Sequence, residues 1–142
     1  MSIRYTKSLD GIDATMLAGF FEGWPRQPGP DEHWCILKGS SHIVLAIDET
    51  TGQIIGRIRA ISDGCHSAFV SMLEVLPSYR GRGIGRQMAE RLFDALRHFS
   101  SIDLTCTPEL RPYYEKFGMQ PTTGMAFRNH AHNRKVNGRG HE

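Results

Sequence analysis

Hydrophobic residues along the chain switch between two spacings, and each switch predicts an element. Residues 3–6 suit a short first strand, after which Ile12, Met16, Leu17, Phe20 and Phe21 recur at helical spacing, with Asp10 or Asp13 available as a cap. That helix must end before Pro25. The stretch Trp24-Pro25-Arg26-Gln27-Pro28-Gly29-Pro30 is rich in helix breakers and predicts a loop, a candidate lid, followed by a second short helix over residues 31–37. Residues 43–47 are a buried-strand run, and Thr50-Thr51-Gly52 is a turn. In residues 54–61, Ile54, Gly56, Ile58 and Ala60 alternate with Arg57 and Arg59, as in a strand. Asp63-Gly64 then marks a hairpin, and a longer strand follows over residues 66–76.

Beyond Pro77 the period becomes helical. Ile84, Met88, Leu92, Leu96 and Phe99 form one stripe, while Arg82, Arg86, Glu90, Arg91, Asp94 and Arg97 fill much of the other face. Residues 102–106 read as a strand, residues 110–117 as a short helix closed by Gly118, and residues 119–128 as a last extended segment broken at Pro121 and Gly124. The order of strand, helices, three-strand meander, helix, strand, helix, strand predicts an α+β fold: a central mixed, mostly antiparallel sheet with helices on both faces. One domain over residues 1–128 is expected, with residues 129–142 as a polar, basic, flexible tail.

Length supports one domain, since 142 residues can bury roughly two-thirds of the unfolded surface. Seventeen Lys and Arg against fifteen Asp and Glu give a net charge of only +2, too little for a dedicated nucleic-acid binder, so an anion site must come from local clustering. The odd set Cys35, Cys65 and Cys106, without a CxxC pair, indicates neither a disulfide framework nor a zinc ribbon and fits a reducing cytoplasm. Nothing approaches the ~20 apolar residues needed to span a bilayer, and the polar start does not read as an export signal.

Chemistry concentrates in Val75-Leu76-Pro77-Ser78-Tyr79-Arg80-Gly81-Arg82-Gly83-Ile84-Gly85-Arg86, which joins a strand to the clearest helix. A helix start preceded by glycines leaves backbone N–H groups free and lets a phosphate approach closely. Arg80, Arg82 and Arg86 lie around it, and guanidinium forks pair with phosphate oxygens, so a pyrophosphate is the natural ligand. A GxGxxG motif would need glycine at Arg86, and a Walker loop would need GK[ST]. The alternative is a glycine-rich, arginine-decorated turn with no ligand.

The hexamer Arg80-Gly81-Arg82-Gly83-Ile84-Gly85 resembles the [QR]-x-x-G-x-[GA] signature of the GNAT N-acetyltransferase superfamily, placed after a strand ending Val-x-Pro. A second segment, Pro112-Tyr113-Tyr114-Glu115-Lys116-Phe117-Gly118-Met119, is similar to the superfamily's later FYEKLGF segment. The similarity runs from about Ile43 to Phe127, and the hairpin around residues 58–64 looks like that of a bacterial and plastid branch that includes serotonin-type amine acetyltransferases. The resemblance implies a GNAT-like fold and acetyl-CoA as co-substrate. It implies that backbone groups of Leu73, Glu74 and Val75 pair with the pantetheine arm as an added strand does, and that amides of Gly81, Arg82, Gly83, Ile84, Gly85 and Arg86 hold the pyrophosphate. Tyr114 falls on the superfamily's tyrosine position, where a phenol near the thioester sulfur protonates the departing thiolate; Tyr113 is the lesser candidate.

An alkyl amine with pKa ~10.4 needs about 4 to 5 kcal/mol to free its lone pair at pH 7, so a base or a water chain is expected, with a strand N–H near Val75 stabilising the oxyanion. Glu74 is the first candidate base, and its alternative is a Glu paired with Arg57 or Arg59 across the hairpin. Asp103, Glu22 and His66 are rivals; where some superfamily members carry a glutamate, this chain has Phe69 or Ile102. Cys106 on an apolar strand reads as a small buried hydrophobe rather than an acyl-cysteine nucleophile. Trp24 and Trp34 either line an acceptor pocket or anchor the lid. His130 and His132 make a poor metal site, and no metal is expected.

Three functions compete: transfer of acetyl from acetyl-CoA to a primary amine of a small molecule or peptide, a non-catalytic acyl-CoA-binding sensor module, and nucleic-acid binding through the arginines and the basic tail. The first is expected, without nucleic-acid or membrane partners. Dimerisation is common in the superfamily, so a homodimer is allowed, but no segment marks its interface.

Overall fold

The computed structural model describes residues 2–129, so the expected tail, His130 and His132 included, lies outside the described residues apart from Asn129. The described residues form two compact units, one of residues 2–20 and 28–104 and one of residues 21–27 and 105–129.

The first unit is built on a five-stranded sheet in the order β1-β2-β3-β4-β5. Strands β1 (Ile3–Thr6), β2 (His42–Asp48), β3 (Gln53–Ser62) and β4 (Ser67–Val75) pair antiparallel in sequence order, and β5 (Ser101–Asp103) runs parallel to β4. The fold is α+β with a mixed, mostly antiparallel sheet. The β3–β4 turn forms where Asp-Gly demanded it: Gly64 sits at φ 77°, and Asp63 Oδ1 accepts from the amides of Cys65, His66 and Ser67. Those three bonds hold the Asp63 carboxyl down at about 2.

Helix α1 (Pro30–Lys38) and helix α2 (Ile84–Ala95) cover opposite faces of β3. A Cβ added at Gly56 would stand 2.8 Å from Met88 Cε of α2, so the end of that methionine side chain fills the space the glycine leaves on this face of β3. The next residue, Arg57, points the other way and reaches His33 of α1. Ile84, Met88 and Leu92 of α2 are buried against the sheet, as their spacing predicted, and Ala89 is buried with them. The helix ends at Ala95 rather than carrying Phe99, because Leu96 begins a turn; Phe99 is still buried, its amide donating to the Leu96 carbonyl at 3.0 Å.

Three expectations change. Residues 12–21 hold only a 3-10 turn, Ala14–Met16, started by Asp13 Oδ1 accepting from the Thr15 amide. Gly11, Gly19 and Phe21 take positive φ (77°, 95° and 69°), which no α-helix admits. Ile12, Leu17 and Phe20 are nevertheless buried, so their spacing marked contact with the core and not a helix. Strand β5 stops at Asp103, short of Cys106.

In the second unit, a 3-10 turn (Pro108–Leu110) leads into α3 (Arg111–Glu115), and residues 119–129 form no strand. Pro121 has no N–H for a ladder, and Met125 and Phe127 are 97% and 92% exposed rather than packed as a strand face would require.

Candidate active site

The glycine turn has the geometry of an anion cradle. After Val75 the Leu76 amide still bonds to the Ile55 carbonyl at 2.8 Å, a 3-10 turn covers Pro77–Tyr79, and Gly81 and Gly83 both take φ 80°. Open space surrounds both, so left-handed φ is the reason for glycine at each. Gly83 is the N-cap of α2 and no side chain caps it, so the leading amides of Ile84, Gly85 and Arg86 have no intrahelical acceptor. The helix dipole adds partial positive charge at that end.

The arginines divide their work. Arg80 folds back and donates from Nε to the Val75 carbonyl at 2.8 Å, tying the turn to the end of β4. Arg86 Nε meets Glu90 at 2.9 Å, an exposed pair one helical turn apart that contributes a few tenths of a kcal/mol. Arg82 lies over the Tyr79 ring, 5.7 Å from its centre, and the Tyr79 hydroxyl donates to Asp48 Oδ2 at 2.6 Å. That bond holds the Asp48 carboxyl below its ordinary range and pushes the Tyr79 phenol up. The end of β2 thereby braces the platform on which Arg82 rests.

Beside the turn, β4 is interrupted. Its pairing with β3 passes from Arg57 opposite Glu74 to Arg59 opposite Ser71, so Met72 and Leu73 together face Ile58. Met72 takes φ 66°, a conformation that costs a non-glycine residue about 1–2 kcal/mol. Strand β5 leaves β4 after Phe69, and among the described residues no strand pairs with residues 72–75 on that side. The half-buried backbone of Leu73, Glu74 and Val75 therefore lies on an edge that an extended ligand can join.

Arg57 lies behind the bulge, 1% exposed. Its Nε donates to His33 Nε2 at 2.9 Å, Nη1 to the Met72 carbonyl at 2.5 Å, and Nη2 to Glu74 Oε1 at 3.1 Å, while its Cζ stands 5.0 Å from the centre of the Phe20 ring. Burial pulls the guanidinium down to about 10, and Glu74 pulls it back up, so it stays charged at neutral pH. Burial, and then the neighbouring Arg57 charge, take His33 down to about 4, so its imidazole is neutral and its Nε2 lone pair accepts, which places the ring hydrogen on Nδ1. α1 and Phe20 cover the face of β3 that carries Arg57. Glu74 is found in the ion pair set out as the alternative to a base, with its side chain 13% exposed.

Tyr114 stands in the second unit on α3, buried, with its phenol pushed up to about 12 by burial and then by Tyr113 and Cys106. Tyr113 packs edge-on against it at 5.1 Å. Of the other candidates, Asp103 accepts from Ser101 Oγ at 3.2 Å, His66 Nδ1 lies 2.7 Å from Ser67 Oγ, and Glu22 is exposed. Cys106 is exposed beyond the end of β5 and is not the buried hydrophobe expected. Trp24 packs edge-on against Phe21 at 4.9 Å. Among the described residues no three His, Cys, Asp or Glu side chains converge as metal ligands, and no helix is long and apolar enough to cross a membrane.

The family model described as the acetyltransferase (GNAT) family matches residues 9–119, and the chain belongs to that family. It is therefore a member of an acyltransferase family. It is 33% identical over 132 residues to the chloroplastic serotonin N-acetyltransferase 2 of Oryza sativa subsp. japonica, covering 85% of this chain and 65% of that protein. It is 29% identical over 100 residues to the uncharacterized N-acetyltransferase ycf52 of Pyropia yezoensis, covering 68% of this chain but only 57% of that one, so the chain spans less than two-thirds of the length of these relatives. The crystal structure of a protein assigned as an acetyltransferase from Deinococcus radiodurans superposes with a TM-score of 0.87 at 34% identity, covering 92% of this chain and 91% of that one.

Proposed function

We propose that the protein transfers the acetyl group of acetyl-CoA directly to a primary amine of a small molecule or peptide. The observation that carries the reading is the uncapped start of α2, with glycines at φ 80° before it, next to a strand edge left open by the Met72 bulge. The first suits a pyrophosphate and the second an extended amide-bearing arm, and the CoA co-substrate has both.

The amides of Gly81 to Arg86 hold the pyrophosphate, with Arg82 beside it, and Leu73, Glu74 and Val75 bind the pantetheine. This lays the thioester carbonyl along β4, where a strand amide near Val75 meets the developing oxyanion. The neutral amine attacks the carbonyl carbon; collapse of the tetrahedral intermediate breaks the C–S bond, and the thiolate leaves. A phenol near 12 is a weak acid toward a thiolate whose conjugate acid titrates near 8.5. Tyr114 therefore acts by donating a hydrogen bond to the sulfur more than by giving up its proton outright. The amine's proton goes to Glu74 or to water, and the ion pair with Arg57 favours water. Three free, exposed cysteines support a reducing compartment, the cytoplasm.

The test is thiol release from acetyl-CoA across arylalkylamines, polyamines, aminoglycosides and lysine peptides, with an amine-free control. The rice relative makes arylalkylamines the first class to try. Release with one class establishes the transferase and names its acceptor. CoA binding without release from any amine would replace the enzyme with a non-catalytic binding module.

A further inference from the structure

We infer that Arg57 is a positioning residue for the acyl-transfer step: its guanidinium locks the Met72 bulge and the Glu74 side chain into one arrangement, and so fixes the strand edge that receives the thioester. The inference rests on the acetyl-CoA reading of that edge.

The bulge is gripped from both ends. Before it, Arg59 Nε donates to Ser71 Oγ at 2.9 Å; after it, Arg57 takes the Met72 carbonyl and the Glu74 carboxylate with two arms of one planar fork. A left-handed methionine relaxes toward a regular strand unless something holds its carbonyl, and here Arg57 Nη1 holds it at 2.5 Å. Relaxation has a definite consequence. Removing the extra residue from the bulge shifts the register of Leu73 to Val75 by one, and a one-residue slip turns every side chain and every edge amide to the opposite side. The N–H assigned to the oxyanion would then point into the β3 ladder.

The third arm reaches outside the sheet. Arg57 Nε bonds to His33 Nε2 on α1, and the Phe20 ring packs against both, 5.0 Å from the guanidinium carbon and 5.0 Å from the imidazole centre. Arg57 thus couples the position of α1 to the shape of β4. No point charge can replace it, because three partners in three directions need a fork and lysine offers a single ammonium.

The experiment compares wild type with Arg57→Lys by amide hydrogen exchange, by calorimetric affinity for CoA and for ADP, and by steady-state thiol release. ADP carries the pyrophosphate without the pantetheine arm. The expected result is exchange at least tenfold faster at residues 72–75 with residues 44–46 of β2 unchanged, CoA affinity at least tenfold weaker with ADP affinity within twofold, and a fall in kcat larger than any rise in the KM of the amine. Unchanged exchange at residues 72–75 overturns the inference whatever the protein's substrate is. Failure of wild type to bind CoA would instead count against the proposed function and leave the exchange result standing. Should Arg57→Lys not fold, His33→Leu and His33→Gln supply the same contrast: the leucine removes the acceptor for Nε and speeds exchange at residues 72–75, while the glutamine, whose carbonyl still accepts, restores it. Equal exchange in both variants and wild type overturns the inference as well.

Discussion

Replacing Gly83 with alanine separates the ligand role of the turn from its structural one. Gly83 holds φ 80°, and a Cβ added there would have nothing within 4 Å, so the extra methyl meets no atom and costs only the left-handed backbone, about 1–2 kcal/mol. Stiffening the unfolded chain returns about 0.4–1 kcal/mol, so the net loss of stability is about 1 kcal/mol, or a fall in Tm of roughly 2–4 °C for a chain near this length. Relief of the strain rotates the amides that open α2. Losing one charged hydrogen bond to phosphate costs about 1.5–3 kcal/mol, which weakens CoA binding by roughly 10- to 150-fold. Gly64 is the control: it has φ 77° and open surroundings too, but belongs to the β3–β4 turn. Gly64→Ala should show the same fall in Tm with unchanged CoA affinity. Thermal unfolding and calorimetric titration of both variants complete the comparison. If Gly83→Ala loses stability and keeps its CoA affinity, the turn is not the pyrophosphate site.

Tyr114→Phe should lower kcat by at least tenfold and leave CoA affinity within about twofold, as a hydrogen bond made only to the departing sulfur requires; an unaffected rate removes Tyr114 from that role. Glu74→Gln keeps a hydrogen-bond acceptor for Arg57 but cannot take a proton, so a loss of about 100-fold in kcat, with loss of the acidic limb of the pH profile, would mark Glu74 as the base, whereas the ion pair predicts a change of only a few fold. Acid should destabilise the fold through His33. The unfolded chain takes up a proton there near 6.5, while the folded protein refuses it until about 4, so stability is lost as the pH falls between those values, by up to about 3 kcal/mol. Urea unfolding at pH 7 and pH 4.5 measures the loss, and His33→Gln should reduce it.

What was legible in the sequence is what local pattern determines. β2, β3, the Asp63-Gly64 turn and α2 follow from runs, alternation and a polar–apolar stripe, and the glycine turn is found because its glycines must be glycines. Residues 12–21 misled because a core contact at every third or fourth position looks like a helix even when Gly11, Gly19 and Phe21 bend the chain otherwise. The bulge had no signal: a left-handed methionine is not a turn residue, and residues 66–76 read as one unbroken strand. His33 and the burial of Arg57 were missed for a related reason. Alternation shows which residues share a face, not whether that face is covered, and only the placement of α1 reveals that this one is dry. A strand arginine with a glutamate available in the next strand was the one trace of the pairing.

The bare start of α2 also ties the protein's persistence to its ligand. A helix without a cap begins less firmly than one with a serine or aspartate in that place, and α2 lies across β2, β3 and β4. An anion bound at Gly83 supplies the missing cap, and any ligand held only by the folded chain raises its stability by RT ln(1 + [L]/Kd), about 2.7 kcal/mol at a hundredfold excess over Kd. On the proposed reading, a cell rich in CoA would keep this protein out of reach of its proteases, and a cell depleted of CoA would turn it over sooner, with no dedicated sensor involved.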